Sequence, residues 1–373
     1  MEHRADSATP GGPATVHRTI PVSAPESPVA ALADIEAWKA RKTYPSMLFA
    51  GGPVFGAARA CEAGRWELLP HFSGLAPQDA RDGLGAYFRR GAEECRARGD
   101  ARSADEYAAA GELLDWEARD DLTVAGRRYR VVRAERFIRM GPDGPEPPRV
   151  TDPDPGDPGE CEGIDPAAGL VVDPYDPTGV PDGLLKAELL AALRKHGTVP
   201  GEVRADSHAA ALSHPGGVLL PATFMTAERD GDRWRPGSTG TAPTPQSARD
   251  ALAMQLRVML PWQRDLTDEQ RAVYNRAADR LDADRCDELA VAGRHFRIVR
   301  VERLLRVGPE GPEGPRPSDP DPVPPLMVQD RELRDQDHCP EDDDPADEPD
   351  ERTLRFLRLF DEERRRRQAL RGS

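Results

Sequence analysis

The sequence predicts an α+β fold made of two tandem copies of one unit, each an antiparallel sheet with helices packed on one face. Three observations carry this: a long internal repeat, helical periodicities recurring in the same order, and a glycine-turned hairpin closing each half. Residues 122–155 align with residues 289–322 at an offset of 167, with 22 of 34 positions identical. PQDARDGL at 77–84 matches PQSARDAL at 245–252, and Arg65-Trp66 matches Arg233-Trp234, both at an offset of 168. Tyr107 and Tyr274 fall into step between these anchors, as do Leu114-Asp115 and Leu281-Asp282. Composition alone cannot produce such agreement, and two copies of this length make a tandem pair of domains, not a solenoid.

Each unit opens with a helix (34–41 and 206–212) and a short apolar strand (47–50 and 218–220). A turn and a second strand lead to the Arg-Trp pair. Pro77 starts the next helix, at a position where proline is tolerated. Ala80, Leu84, Phe88 and Cys95 share one helical face, and Gly99 ends it. The counterpart carries Ala248, Leu252, Leu256 and Met259 and stops at Pro261. Ser103-x-x-Glu106 and Thr267-x-x-Gln270 have the reciprocal capping pattern that opens a helix. Tyr107, Ala110 and Leu114 form one buried stripe, and Tyr274, Ala277 and Leu281 the other. Gly126 and Gly293 turn a hairpin whose polar second strand runs to Gly141 or Gly308. The expected core also includes Val131 and Ile298.

These elements divide the chain into a disordered N-terminal segment (1–30), unit 1 (31–155), a Pro/Gly/Asp linker (156–183), unit 2 (184–325), an acidic disordered segment (326–351) and a terminal amphipathic helix (352–373). Proline and self-repulsion would keep the linker extended. The formal charge is −15. Residues 141–183 hold 11 acidic residues against one basic, and residues 308–351 hold 16 against three. The acidity therefore lies in the connectors, and the remaining chain is mildly basic. Only four residues are lysine, namely Lys39, Lys42, Lys186 and Lys195, so arginine carries the positive charge, as in GC-rich coding.

Five cysteines with no C-x-x-C pair argue against a zinc site or a disulfide framework and for a reducing cytoplasm. No run approaches the roughly 18 apolar residues of a membrane span, and residues 1–30 lack the apolar core of a secretory signal. Gly51-Gly52-Pro53 has neither P-loop chemistry nor dinucleotide spacing and reads as a tight turn. The histidines do not recur between copies, and G-x-S-x-G and H-E-x-x-H are absent. His338-Cys339 lies in the acidic run. No catalytic set, cofactor-binding residue or metal-ligand set emerges.

The most distinctive feature is arginine every third residue: Arg127, Arg130, Arg133, Arg136 and Arg139, repeated as Arg294, Arg297, Arg300, Arg303 and Arg306. On a straight strand this period sends alternate side chains to opposite faces. A bulge at Ala134-Glu135 or Val301-Glu302 would relieve that. At least one inward arginine per copy, Arg133 and Arg300 by preference, should pair with a carboxylate of its own unit, because an unpaired buried guanidinium is too costly. The candidate anion-facing residues are Arg127, Arg130 and Arg136, with Arg294, Arg297 and Arg303. Trp66 and Trp234 are the candidate stacking side chains. The competing reading is structural, an arginine strand paired with neighbouring acids.

YPSMLFAGGPVFG (44–56), VAGRRYRVVRAERFIRMGPDGPE (124–146) and its copy at 291–313 resemble an uncharacterised actinobacterial family of streptomycete type, over most of residues 31–325. The resemblance implies a cytoplasmic bacterial protein, and no activity or cofactor. With no catalytic set, the chain reads best as a non-enzymatic binding or scaffold protein whose two modules engage a protein or an anionic ligand. An enzyme of unfamiliar type with its site between the two units is the alternative. The acidic connectors and the scarcity of aromatic residues argue against nucleic acid. Oligomeric state is not legible.

Overall fold

The first helix starts where a capping serine meets a proline. Ser27 accepts a hydrogen bond from the Ala30 amide, and α1 runs Pro28–Thr43. This computed structural model describes residues 19–159, 165–195, 197–237, 240–264, 266–336 and 350–371. Residues 1–18 of the N-terminal segment, residues 341–349 of the acidic run, and Cys161, His196, His338 and Cys339 lie outside the described residues.

Strands β1 (Ser46–Phe49), β2 (Val54–Ala60) and β3 (Trp66–Leu68) precede helices α2 (Pro77–Ala97) and α3 (Ala101–Trp116). Helix α3 starts earlier than the Ser103-x-x-Glu106 pattern implies. Asp100 accepts from the Ser103 amide, and a carboxylate there also suits the positive helix end. Glu106 turns instead to the Ala125 amide of the next hairpin. That hairpin joins β4 (Asp121–Val124) to β5 (Arg127–Gly141), and β6 (Gly144–Pro145) folds back on its end.

After β7 (Val171–Val172), helices α4 (Val180–Ala191) and α5 (Gly201–Ser213) lead into β8 (Gly216–Asp230) and β9 (Arg233–Pro236). Helix α6 (Pro245–Met254) passes through a π turn (Gln255–Met259) into α7 (Leu260–Arg264). The expected stop at Pro261 does not occur. The widened turn ends just before it, so Pro261 sits in a new first turn, where its missing N–H costs little. Thr267 and Gln270 do form the capping box of α8 (Asp268–Asp284). Strands β10 (Glu288–Val291), β11 (Arg294–Gly308) and β12 (Gly311–Pro312) follow, then α9 (Leu326–Gln336) and α10 (Glu351–Arg371). Both hairpin turns hold two successive residues at positive φ, Ala125-Gly126 and Ala292-Gly293, the handedness that matches strand twist.

The two halves do not keep separate sheets, as the sequence reading had them. One antiparallel sheet runs β7-β3-β2-β5-β11-β8-β9, joined where Arg303 pairs with Arg136 and Leu305 with Ala134. The long strands outrun their own hairpins, and pairing them removes two open edges. A bulge falls at Glu302, where Pro221 and Ala222 oppose one residue of β11. In the first half β5 instead changes partner, from β2 at Ala134 to β1 at Phe137. Gly51-Gly52-Pro53 bridges the gap with Gly51 at φ +74°.

The mixed α/β structure buries helices α2 and α3 on one face through Leu84, Phe88, Leu114 and Tyr129. Helices α6 and α8 do the same through Leu252, Leu256, Tyr274 and Leu281, over Phe296 and Ile298. The sheet curls, so its other face packs on itself. Val54, Val132 and Ala134 meet Leu220, Leu305 and Val307, while Ile138 meets Met225, Val299 and Val301. Tyr107 is only partly buried, and its hydroxyl hydrogen-bonds that of the buried Tyr129 at 2.9 Å. The span 156–183 is not a loose tether where it is described. Ala167 and Val172 bury in the inner core, Val171-Val172 pair with β3, and α4 begins at Val180.

Candidate functional site

The arginine rows are absorbed by two Pro-rich tails that cross between the halves. After β6 the chain carries Glu146, Arg149, Asp152 and Asp154 onto the second half, and after β12 Glu313, Arg316, Asp319 and Asp321 return onto the first. Arg133 pairs with Glu135 (2.9 Å) and with Asp319 (2.8 Å). Arg300 pairs with Glu302 and with Asp152 (3.0 Å). Each inward arginine thus has a partner in its own unit, as expected, and a second from the crossing tail. Arg316 joins Glu313 (2.6 Å) to Glu135 (2.9 Å), as Arg149 joins Glu146 (2.7 Å) to Glu302 (3.4 Å). At the helix bases Arg81 holds Asp120 (2.8 Å) and Asp321 (2.5 Å), while Arg249 holds Asp287 and Asp154 (both 2.8 Å).

Burying a charge is costly unless a counter-ion and hydrogen bonds offset it, and each of these buried charges has an opposite charge in contact. Burial pushes the Glu135 carboxyl up, but Arg133, Arg316 and Arg194 outweigh it and hold it at about 2. The second cluster has fewer cations. Burial raises Glu146 despite Arg149 and Arg300, with Glu302 adding to the rise. Burial likewise raises Asp182 at the start of α4, with Glu302 nearby.

The anion-facing row expected from the sequence does not form. Of its six arginines only Arg127 is exposed. Arg130 bonds Asp121 (2.7 Å) and the Glu310 and Pro312 carbonyls (3.1 Å each), and lies 5.1 Å from the Trp66 ring. Arg297 bonds Glu288 (2.5 Å) and the Pro145 carbonyl (2.9 Å), 4.8 Å from the Trp234 ring. Arg294 takes Glu228 through two hydrogen bonds. Arg136 donates to the Gly52 carbonyl (2.9 Å), and Arg303 to those of Pro221 and Phe72. The indoles pack crosswise: a Cβ on Gly311 would collide with Trp66, and one on Gly144 with Trp234.

What the repeat did not reveal is a cavity of about 470 Å³ at one end of the inner core. Its walls include Trp66 from β3, Val172 from β7, Leu190 and Lys186 from α4, and Val307 from β11. Arg65, Asp173 and Tyr175 also line it, with Thr19 and Ile20 of the N-terminal segment. Asp173 accepts from the Tyr175 amide (2.9 Å), a local turn that presents the Pro174 carbonyl to the Lys186 ammonium at 3.1 Å. Gly183 lets α4 approach Val22, since a Cβ there would overlap the Val22 side chain. Lys186 is buried, and among the described residues no carboxylate reaches ion-pair distance of it. Burial pushes its pKa down, against the pull of Asp173 and Asp176.

Sequence reasoning missed Lys186 because it weighed features present in both halves, and left residues 174–183 to a linker. The signal available was its rarity, one lysine of four, inside an apolar helical stretch (LLKAELLAAL). Among the described residues no group of three or more His, Cys, Asp or Glu could hold a metal, and no helix is long and apolar enough to cross a membrane.

The chain belongs to a family of unknown function (DUF5954), whose model matches residues 27–322. No curated protein and no solved structure matches it.

Proposed function

We propose that this is a non-enzymatic binding protein that takes a small organic ligand in the cavity between its halves. The observation that carries the reading is the buried Lys186 ammonium lining a cavity of about 470 Å³, a size typical of ligand sites. Duplication of one unit accounts for the repeat of 22 identities in 34 and for the reciprocal ion pairs of the crossing tails. On this reading the two modules act as one body around one site, not as two tethered hands. The described cysteines, Cys61, Cys95 and Cys286, are free thiols, which fits a cytoplasmic setting. The arginine-rich, lysine-poor composition fits an actinobacterial origin.

The test is a thermal-shift screen of the full chain with a chemically mixed fragment panel, repeated on Ile20→Trp, which fills the cavity from its rim. Ligands at about 100 times Kd add about 2.7 kcal/mol to stability. Hits should raise the Tm of the wild type and lose that effect in Ile20→Trp. A panel without hits on the wild type overturns the reading. An enzyme built on the same cavity is favoured only by the lowered Lys186 pKa, since a free amine is the nucleophilic form. Consumption of a bound hit would move the assignment there.

A further inference from the structure

We infer that the seam cavity selects an apolar organic anion, a carboxylate carried on an aromatic or branched aliphatic body, and that Lys186 is the group that reads its charge. The inference rests on the cavity reading above and adds the ligand class.

The charge argument comes from the lining. An ammonium has three donors, and that of Lys186 has one protein acceptor among the described residues, the Pro174 carbonyl at 3.1 Å. The ammonium faces the cavity with no carboxylate of the described residues at ion-pair distance, so an anion entering there gains a charge-assisted hydrogen bond that a neutral ligand does not. The side chains lining the cavity that carry charge at neutral pH are Lys186, Arg65 and Asp173. Asp173 spends one carboxylate oxygen on the Tyr175 amide at 2.9 Å. Asp176 acts only from a distance. The lining is therefore net positive, which repels an amine and gives a neutral alcohol no advantage.

The body argument comes from the rest of the wall. Trp66, Val172, Leu190 and Val307 are apolar, and a free inorganic ion would leave them wetted. A ring or branched chain displaces that water while its carboxylate reaches Lys186. The falling Lys186 pKa adds a signature: an arriving anion restores the ammonium, so binding takes up protons at alkaline pH.

The test is isothermal titration of the full chain with three probes sharing one ring: 3-phenylpropionate, 3-phenylpropanol and 3-phenylpropylamine. The wild type should bind the carboxylate at least tenfold more tightly than the alcohol, and the amine least. Lys186→Met should abolish the tenfold preference while leaving alcohol binding in place. Should that variant fold poorly, the wild type decides alone. In buffers of different ionisation enthalpy at pH 9, carboxylate binding should take up protons and alcohol binding should not. Equal affinity for acid and alcohol, or no difference in proton uptake, overturns the ligand class and leaves the cavity reading intact. Failure of all three probes overturns the class as well, and the fragment panel then decides whether the cavity binds anything.

Discussion

Arg303 of β11 lies directly opposite Arg136 of β5 at the centre of the sheet, and among the described residues neither guanidinium has an ion-pair partner. Arg303 is 1% exposed, and burial, aided by the nearby Arg136 charge, brings it down to about 10. Its three hydrogen bonds go to the carbonyls of Pro221 and Phe72, where β8 bulges. Arg136 does the same for the Gly51-Gly52-Pro53 turn. These two arginines brace the irregular points of the sheet; the planar fork is what allows one side chain to reach two carbonyls. Arg303→Lys keeps the charge and loses the fork. It should lower stability by about 1–3 kcal/mol in urea unfolding, the cost of an orphaned buried acceptor. An unchanged midpoint would mean the ammonium finds both carbonyls.

The crossing tails should matter more to stability than any surface ion pair. Arg316→Ala strips Glu135 and Glu313 of a shared partner in a buried site and should cost about 3–5 kcal/mol. Arg102, whose side chain is 91% exposed beside Glu106, is the control and should stay within about 0.5 kcal/mol when changed to Ala. The pair Arg130 and Arg297, which the sequence places outward and dispensable, should behave like Arg316. Arg297 is buried against Trp234, and Arg130 clamps the Glu310 and Pro312 carbonyls. Denaturant curves of the double alanine variant that overlay the wild type would restore the exposed-row reading.

Two carboxyls give opposite pH signs. Glu135 ionises at about 2 in the fold against an ordinary 4.5, so its contribution is complete above pH 4.5 and drains away as pH falls toward 2. A shift of that size is on the order of 3 kcal/mol. Glu146 is raised, so its charge opposes folding: that site is most stable below its ordinary pKa and loses stability as pH rises through the raised value. Glu135→Gln should therefore flatten the acid limb of a Tm-against-pH curve, and Glu146→Gln should gain stability relative to wild type as pH rises. Parallel curves for both variants would show that neither carboxyl is shifted.

The legible part of this fold was whatever repeated locally. The helix stripes through Leu114 and Leu281, the Gly126 and Gly293 turns, and the bulge beside Val301 all follow from spacing and turn chemistry. The joining of β5 to β11 was not legible, because it depends on strand pairing over more than 160 residues with no local signature. The tails misled for the same reason. Proline and aspartate at 146–154 and 313–321 look like linker composition, yet their carboxylates are the counter-ions the arginine rows required. The charge pattern demanded acids without saying which ones would arrive. The cavity was hidden differently: its walls at 172–175 and 186–190 lie outside the aligned segments, an asymmetry that repeat comparison, which sees only what is shared, passes over.

That asymmetry yields a paired prediction at Gly311 and Gly144. Both sit at positive φ, +110° and +116°, and at both a Cβ would run into an indole, of Trp66 and Trp234 respectively. The strain and the clash are alike, so Gly311→Ala and Gly144→Ala should each destabilise, by about 1–3 kcal/mol, as for residues forced into sparsely populated backbone regions. Their effects on ligand must differ. Gly311 and Trp66 both line the seam cavity, whereas neither Gly144 nor Trp234 does. Displacing Trp66 should weaken binding of 3-phenylpropionate several-fold, and displacing Trp234 should leave it unchanged once both variants are compared well below their melting temperatures. Equal losses of affinity in the two variants would place the ligand somewhere other than beside Trp66, because a general loosening of the sheet is the one effect the two substitutions share.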